Sequence, residues 1–395
     1  MNEQAFLLMP RDPIIVRDGR PFSADPGARA VSLPWPLPST LAGATRTCIG
    51  NTAKFDWSNG GPKQALAIPV SGPLMAVSED GANWEVYFDA PADAVPFRPE
   101  NVDRDEVMPL RPWKLKDPLC NLPLPEGLLP LKVTRDEKPA KDYDYWSMTD
   151  TVNWLCGHEN VPNKHFGKLP TESRVHVKID AASGTGEQGM LFSTKSICFA
   201  DAPAKDKRGK AIPRVAMLCR AKTDVVLPVP SFVPFGGEKR VASIVKSGIA
   251  WPEPPADLIT ACKAKGRLKL QLVTPGLFAN GWKPGWIGED WRGSPPCCPN
   301  IKVRLVSAAM GRRIPVSGWS LKPLKATGKP GPKAARYAVP AGGVFFFEVE
   351  EGQLDETILR SLWLASICDN GQDVLDGFGL VVPGTWDYAE DNNAR

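Results

Sequence analysis

Histidine is scarce in this chain, three in 395 residues, and that alone leaves imidazole-based catalysis few candidates. No HExxH pair, Walker loop or GxSxG elbow occurs, and no two acids sit in a setting that marks them as metal ligands. Long apolar runs are missing as well. The stretch AFLLMP near the N-terminus is a few residues long, with Asn2 and Glu3 ahead of it in place of a basic region. It is too short to span a bilayer and does not read as a signal peptide. The nine cysteines are odd in number and contain no CxxC, and only Cys297 and Cys298 are adjacent. They read as thiols of a reducing compartment and not as a disulfide framework. The expectation is a cytoplasmic, non-enzymatic protein with no metal, no cofactor and no membrane contact.

What is abundant is proline, glycine and tryptophan: 41, 35 and 13 residues, in a chain that is 43% apolar. That composition is globular and loop-rich, and the length suits two domains. The net charge of +4 is too small to identify a nucleic-acid binder, but its distribution is uneven. Residues 301–347 hold nine basic side chains and no acid, whereas residues 348–395 hold eleven acids against Arg360 and Arg395. This reads either as a phosphate-facing half followed by a protein-facing half, or as a surface on which the signs mix in three dimensions.

Strand patterns recur at 13–17, 84–88, 174–180, 189–199, 214–218, 267–273, 301–308 and 343–349, mostly alternating apolar with polar residues. Helical stripes are clearest at 39–50 and 354–368. Many strands, few helices and proline-rich connections describe an α+β protein with antiparallel sheets. The proline cluster WPEPPADL at 251–258 marks a boundary, giving domains over 1–255 and 256–395. Residues of roughly 52–170, aperiodic and rich in Pro and Asp, read as an insertion in the first domain or a partly disordered linker. Trp113, Trp146 and Trp154 argue for docking.

Several segments carry candidate chemistry. DPIIVRDGRPF at 12–22 reads as a buried strand (Ile14, Ile15, Val16) ending on Arg17 and an Asp18-Gly19 turn. PLPSTLAGATRT at 36–47 reads as a helix that Ser39 or Thr40 caps, with Pro38 just outside. Unpaired amides at such a helix mouth, near Gly43 and Arg46, facing Arg17 make a phosphate site. Gly184, Gly186 and Gly189 spell GxGxxG, but MLFSTKSICF after them is a strand pattern where a dinucleotide fold needs a helix, so they read as a hairpin tip. Cys156, His158 and His165 lack a fourth ligand for structural zinc. Arg174, His176 and Lys178 alternate along one strand face, a row that suits phosphate contact with His stacking on a base, or an exposed structural row.

Gly236 and Gly237, followed by Glu238, Lys239 and Arg240, allow close backbone approach beside two cations, or form a plain tight turn. Gly377, Phe378 and Gly379 form a further glycine-rich stretch, in which Phe378 suits a core. Arg312, Arg313 and Trp319 flank a turn and suit either RNA stacking or a protein contact.

Those two N-terminal segments, together with SRVHVKIDAASGTGEQGMLF at 173–192, VPFGGEKR at 233–240, LVTPGLFANGWKP at 272–284, VSGWS at 316–320, VPAGGVFFFEV at 339–349 and GFGLVVPGTW at 377–386, resemble the third subunits of CRISPR type III-B (Cmr) effector complexes, within the RAMP superfamily. The resemblance implies two ferredoxin-like (RRM-like) domains with antiparallel sheets. It implies a non-catalytic role holding the 5′ tag of the guide RNA, with a large polymerase/cyclase-like subunit and backbone RAMP subunits as partners and target RNA nearby. Motif matches place family function at Arg17, Ser39, Gly43, Arg46, Arg174, Gly236, Gly237, Gly377 and Gly379, and the resemblance implies that the loop Gly377, Phe378 and Gly379 sets open amides against phosphate with Phe378 as a wedging aromatic. Two other readings stand beside it: an endoribonuclease acting through His176, and an interaction scaffold without RNA contact.

Overall fold

The structure is a computed structural model, and it describes residues 2–17, 29–100, 104–114, 124–133, 135, 137–199, 204–205, 211–320 and 328–390. It is a strand-rich α+β protein with several antiparallel sheets. The chain forms two compact units, one from residues 1–84, 168–250 and 314–337, the other from 85–167, 251–313 and 338–395.

In the first unit, the strands Val70–Ser78, Arg214–Lys222, Glu3–Pro10, Val241–Lys246 and Ser231–Pro234 lie side by side in that order, each antiparallel to the next. The helix Pro38–Thr52 packs on the first and last of these. It does so because Leu41, Ala44, Thr45, Cys48 and Ile49 recur at three- and four-residue spacing and are buried together. Fully burying a side chain such as Ile49 stabilises by about 1.5–3 kcal/mol. A separate hairpin, Thr171–Ile179 against Gly186–Ile197, carries the parallel strand Arg29–Val31 on its outer edge. Its turn at 180–185 is closed by the Asp180 and Gly184 amides, with Gly184 at φ 68°. The GxGxxG glycines are therefore a hairpin tip and its flank.

In the second unit, a six-stranded sheet runs Arg292–Gly293, Lys302–Ala309, Val344–Glu351, Arg267–Leu272, Leu380–Gly384, Ala365–Ser366. Phe345, Phe346 and Phe347 are consecutive and all buried, so this strand is covered on both faces. A smaller sheet joins Glu85–Asp89, Tyr145–Ser147 and His165–Phe166. Trp146 and Trp154 meet edge to face at 5.8 Å and are buried, as docking tryptophans should be.

Three local expectations change. Residues 13–17 form isolated bridges at Ile14 and Arg17 and no regular strand. The first helix begins at Pro38, inside the helix, with Leu37 as N-cap and no side-chain cap. Ser39 and Thr40 belong to its first turn, because proline at the first helical position has no amide to satisfy. The second stripe gives a helix only over Glu356–Leu362. Trp363 is extended, Leu364 takes φ 52°, and the Leu364 amide donates to Val381 O at 2.7 Å, so the chain leaves the helix to edge the sheet. Leu364 and Ile367 remain buried, in sheet geometry.

Candidate nucleic-acid interface

Three segments of the first unit meet at the base of the hairpin. The Ile14 amide donates to Ile197 O at 2.9 Å, and the Ile197 amide returns the bond to Ile14 O at 2.8 Å. One residue on, Ile15 O accepts from the Gly237 amide at 2.7 Å. Gly236 sits at φ 78°, and a Cβ there would lie 2.9 Å from Ile15 O, so only glycine lets the loop approach this closely. Val16 is tied to Ser32 and Leu33, and the Ser32 amide donates to Lys195 O at 3.0 Å. The architecture thus joins the backbone segments that carry Arg17, Arg174, His176, Lys239 and Arg240.

The electrostatics are more balanced than a bare list of cations implies. Arg174 is bidentate to Glu172, at 2.6 and 3.1 Å. That bond holds the Arg174 pKa above its ordinary value, with Glu238 and Asp12 adding to the effect, and holds the Glu172 carboxyl below its own. Arg240 pairs with Glu238 at 3.1 Å. Glu238 and Lys239 both take left-handed backbone, at φ 58° and 55°. Each such residue costs about 1–2 kcal/mol, and strain of this kind collects at ligand clamps. Arg17 and Lys239 are exposed. His176 stacks on Phe192 at 4.9 Å and bonds Thr194 Oγ1 through Nε2 at 2.9 Å.

The opposite face of the hairpin is the one sequence reasoning missed. Val175, Val177, Ile179 and Leu191 are all exposed, Val175 at 69%. Val177 lies directly across from Leu191, so the four form one apolar ridge. The signal was present in the strict alternation of RVHVKI, which puts Val175, Val177 and Ile179 together on one face. The row Glu172, Arg174 and His176 is instead the half-covered one.

The other expected residues differ in exposure and in what they touch. Gly43 is exposed, with open space where a Cβ would be. Ser39 and Thr40 are half-buried. Arg46 is 4% exposed, and its Nε donates to Ile68 O at 2.9 Å, which makes it a core brace and not a surface cation. In the second unit, the amides of Gly377, Phe378 and Gly379 donate to Val374, Asp373 and Pro275 carbonyls at 3.1, 3.0 and 2.9 Å. Phe378 is 0% exposed. This glycine loop presents no open amide and no wedge. Gly377 instead ends the helix Gly371–Asp376 at φ 89°.

Arg312 and Arg313 are exposed. Trp319 pairs through its backbone with Pro332, and its side chain is outside the described residues, as is the Asp18-Gly19 dipeptide. The basic and acidic tracts cancel where they are strands: Lys302 pairs with Glu351 at 3.1 Å and Arg304 with Glu348 at 2.5 Å across the ladder. Among the described residues no three His, Cys, Asp or Glu side chains converge as metal ligands, and no helix is long and apolar enough to cross a membrane.

The family model described as CRISPR-associated protein (Cas_Cmr3) matches residues 6–386. The chain belongs to the Cas_Cmr3 family. Solved structures similar to it include a cryo-EM structure of the type III-B Cmr-beta particle bound to cognate target RNA. That match has 14% identity, covers 87% of this chain and 86% of the other, and has a TM-score of 0.46. A second is the same particle with target RNA and AMPPnP, at 14% identity, the same coverage and a TM-score of 0.43. No curated protein gives a match.

Proposed function

We propose that this Cas_Cmr3 protein is a non-catalytic RNA-binding subunit of a type III-B CRISPR ribonucleoprotein. It holds the 5′ tag end of the guide RNA, and it bridges the large polymerase/cyclase-like subunit to the backbone RAMP subunits. The observation that carries this reading is the family match over residues 6–386. The joining of the segments that carry Arg17, Arg174, Lys239 and Arg240 at the base of a hairpin with an exposed apolar ridge supports it.

In this reading the cations track sugar-phosphate, Arg174 and Arg240 exchanging carboxylates for phosphates as RNA arrives. Val175, Val177, Ile179 and Leu191 then pack against unstacked bases, apolar surface against apolar surface. The two ferredoxin-like domains of the family serve as rigid carriers for these loops. A non-catalytic role is favoured by His176, whose Nε2 is engaged by Thr194 and whose ring lies flat on Phe192. Such a group is held in place, not poised to transfer a proton.

The test is a gel shift with tagged guide RNA over a salt series, on the isolated chain and on the assembled particle. Binding should weaken with a log-log slope of about −0.7 per phosphate neutralised. Crosslinks from the tag should fall on peptides spanning residues 11–17, 171–197 and 231–240. Tag crosslinks confined to other peptides of the assembled particle would refute the assignment of the site, and cleavage of repeat RNA that is lost in His176→Ala would refute the non-catalytic role.

A further inference from the structure

A cleft of about 390 Å³, partly open to solvent, lies within the second unit, and the proposed RNA site makes no use of it. Its floor is a buried ion pair. Lys269, on the strand Arg267–Leu272, is 4% exposed and donates through Nζ to Asp93 Oδ2 at 2.9 Å, while Asp93 Oδ1 accepts from Trp154 Nε1 at 2.9 Å. Both carboxylate oxygens are thus engaged. An ammonium carries three donors, and the bond to Asp93 is the one hydrogen bond of the Lys269 side chain among the described residues. The Trp154 ring, 5.5 Å from Nζ, attracts the charge without accepting a hydrogen bond. Donors of a buried cation are left over. Lys269 pairs across the ladder with Gly384, and Thr385 follows, 1% exposed, its amide held by Leu155 O at 2.8 Å and its Oγ1 buried with no partner. A buried hydroxyl without a partner costs stability, which a bound acceptor would return.

The rim supplies further cations. The Leu110 amide donates to Asp93 O at 2.7 Å, which brings Arg111 to the mouth of the cleft, where it pairs with Glu159. Lys265 lines the opposite rim and shares Asp387 with Arg267. These rim side chains are partly exposed, and ion pairs in such a setting contribute little, so an incoming anion can take over the cations.

We propose that this cleft binds a phosphate group, free or at the end of a small phosphomonoester. Lys269 Nζ and Thr385 Oγ1 donate to it from the floor. Arg111 and Lys265 join from the rim as Glu159 and Asp387 let go, Asp387 keeping Arg267. Phosphate suits this donor set better than a carboxylate, since it offers three acceptor oxygens instead of two.

The experiment titrates the full chain by calorimetry with inorganic phosphate, glycerol 3-phosphate and acetate, and melts the ligand-free protein. Phosphate should bind saturably with a Kd on the order of 1 mM, and acetate at least about tenfold more weakly. Glycerol 3-phosphate binding as tightly as phosphate supports an ester site, and binding of phosphate alone supports a site for the free ion. Removing Lys269 would strand Asp93 in the core, so the variant is Thr385→Val, which keeps the shape and deletes the orphan hydroxyl. Ligand-free Thr385→Val should melt at or above the parent temperature, bind phosphate at least about tenfold more weakly, and keep the parent's RNA binding. Lys265→Gln, on the exposed rim, should weaken phosphate binding severalfold. Four results would each overturn the proposal: no saturable phosphate binding, acetate binding as tightly as phosphate, equal phosphate affinity in Thr385→Val, or a lower melting temperature of that ligand-free variant. The third would assign the phosphate to other cations of the chain, and the fourth would show that an ordered water already serves the hydroxyl.

Discussion

Two glycine loops of this protein look alike on paper and behave oppositely. At 236–240 glycine brings an exposed loop against the Ile15 carbonyl, leaving Lys239 at the surface and Arg240 beside Glu238. At 377–379 glycine ends a helix, every amide is spent on a carbonyl, and the intervening Phe378 is wholly buried. Both need glycine for backbone reasons, yet only the first leaves charge facing water. The lesson is that a glycine-rich motif reports a constraint on the backbone, and its neighbours decide whether a ligand benefits.

The largest effect should come from the buried loop. Gly379 has φ 67°, and a Cβ there would lie 2.5 Å from Cys368 Sγ, so Gly379→Val should cost about 3 kcal/mol or more and lower the yield of folded protein. Phe378→Ala should cost about 3–5 kcal/mol in a urea titration. At temperatures where that variant is folded its RNA affinity should be unchanged, and a selective loss of RNA binding would break the contrast between the loops. Next is Arg46→Ala, which leaves Ile68 O without its 2.9 Å donor. It should destabilise by about 1–3 kcal/mol while leaving the salt dependence of RNA binding as it was.

Arg174→Ala and Lys239→Ala should act the other way. Exposed ion pairs contribute about 0–1 kcal/mol, so melting should barely move, while each lost phosphate contact reduces the salt slope by about 0.7. Glu172→Gln sharpens the test, since it releases Arg174 from a 2.6 Å bond and should tighten RNA binding severalfold at low salt.

The smallest effect concerns pH. The Glu172 carboxyl is held below its ordinary value by Arg174. Its contribution to stability is therefore present above the unfolded value of about 4.3 and fades as pH falls below it. Thermal melts between neutral pH and mild acid should show a slight loss in the parent that Glu172→Gln lacks.

Much of the architecture was legible because it rests on periodicity. The alternation of RVHVKI and the apolar spacing through Leu41, Thr45 and Ile49 located a hairpin and a helix near their observed bounds. The site was legible only in part. The segments that carry Arg17, Arg174, Lys239 and Arg240 are joined through their backbones, but Arg46 turns inward because an inner-face helical position and the Ile68 carbonyl outweigh its charge. Period two told which hairpin residues share a face and not which face meets solvent, so the exposed ridge of Val175, Val177, Ile179 and Leu191 could not be read from it. The charge tracts misled for a related reason: strands far apart in sequence became ladder partners, and Lys302 and Arg304 met Glu351 and Glu348.

The interleaved make-up of the two units has a consequence for biogenesis. The first unit draws its last piece from residues 314–337, after most of the second has been made, and the second draws its first piece from 85–167. A ribosome emitting this chain from its N-terminus cannot release one finished half before starting the other. Both must mature late and together, so shortened fragments ending near residue 250 should emerge as incomplete, chaperone-dependent species.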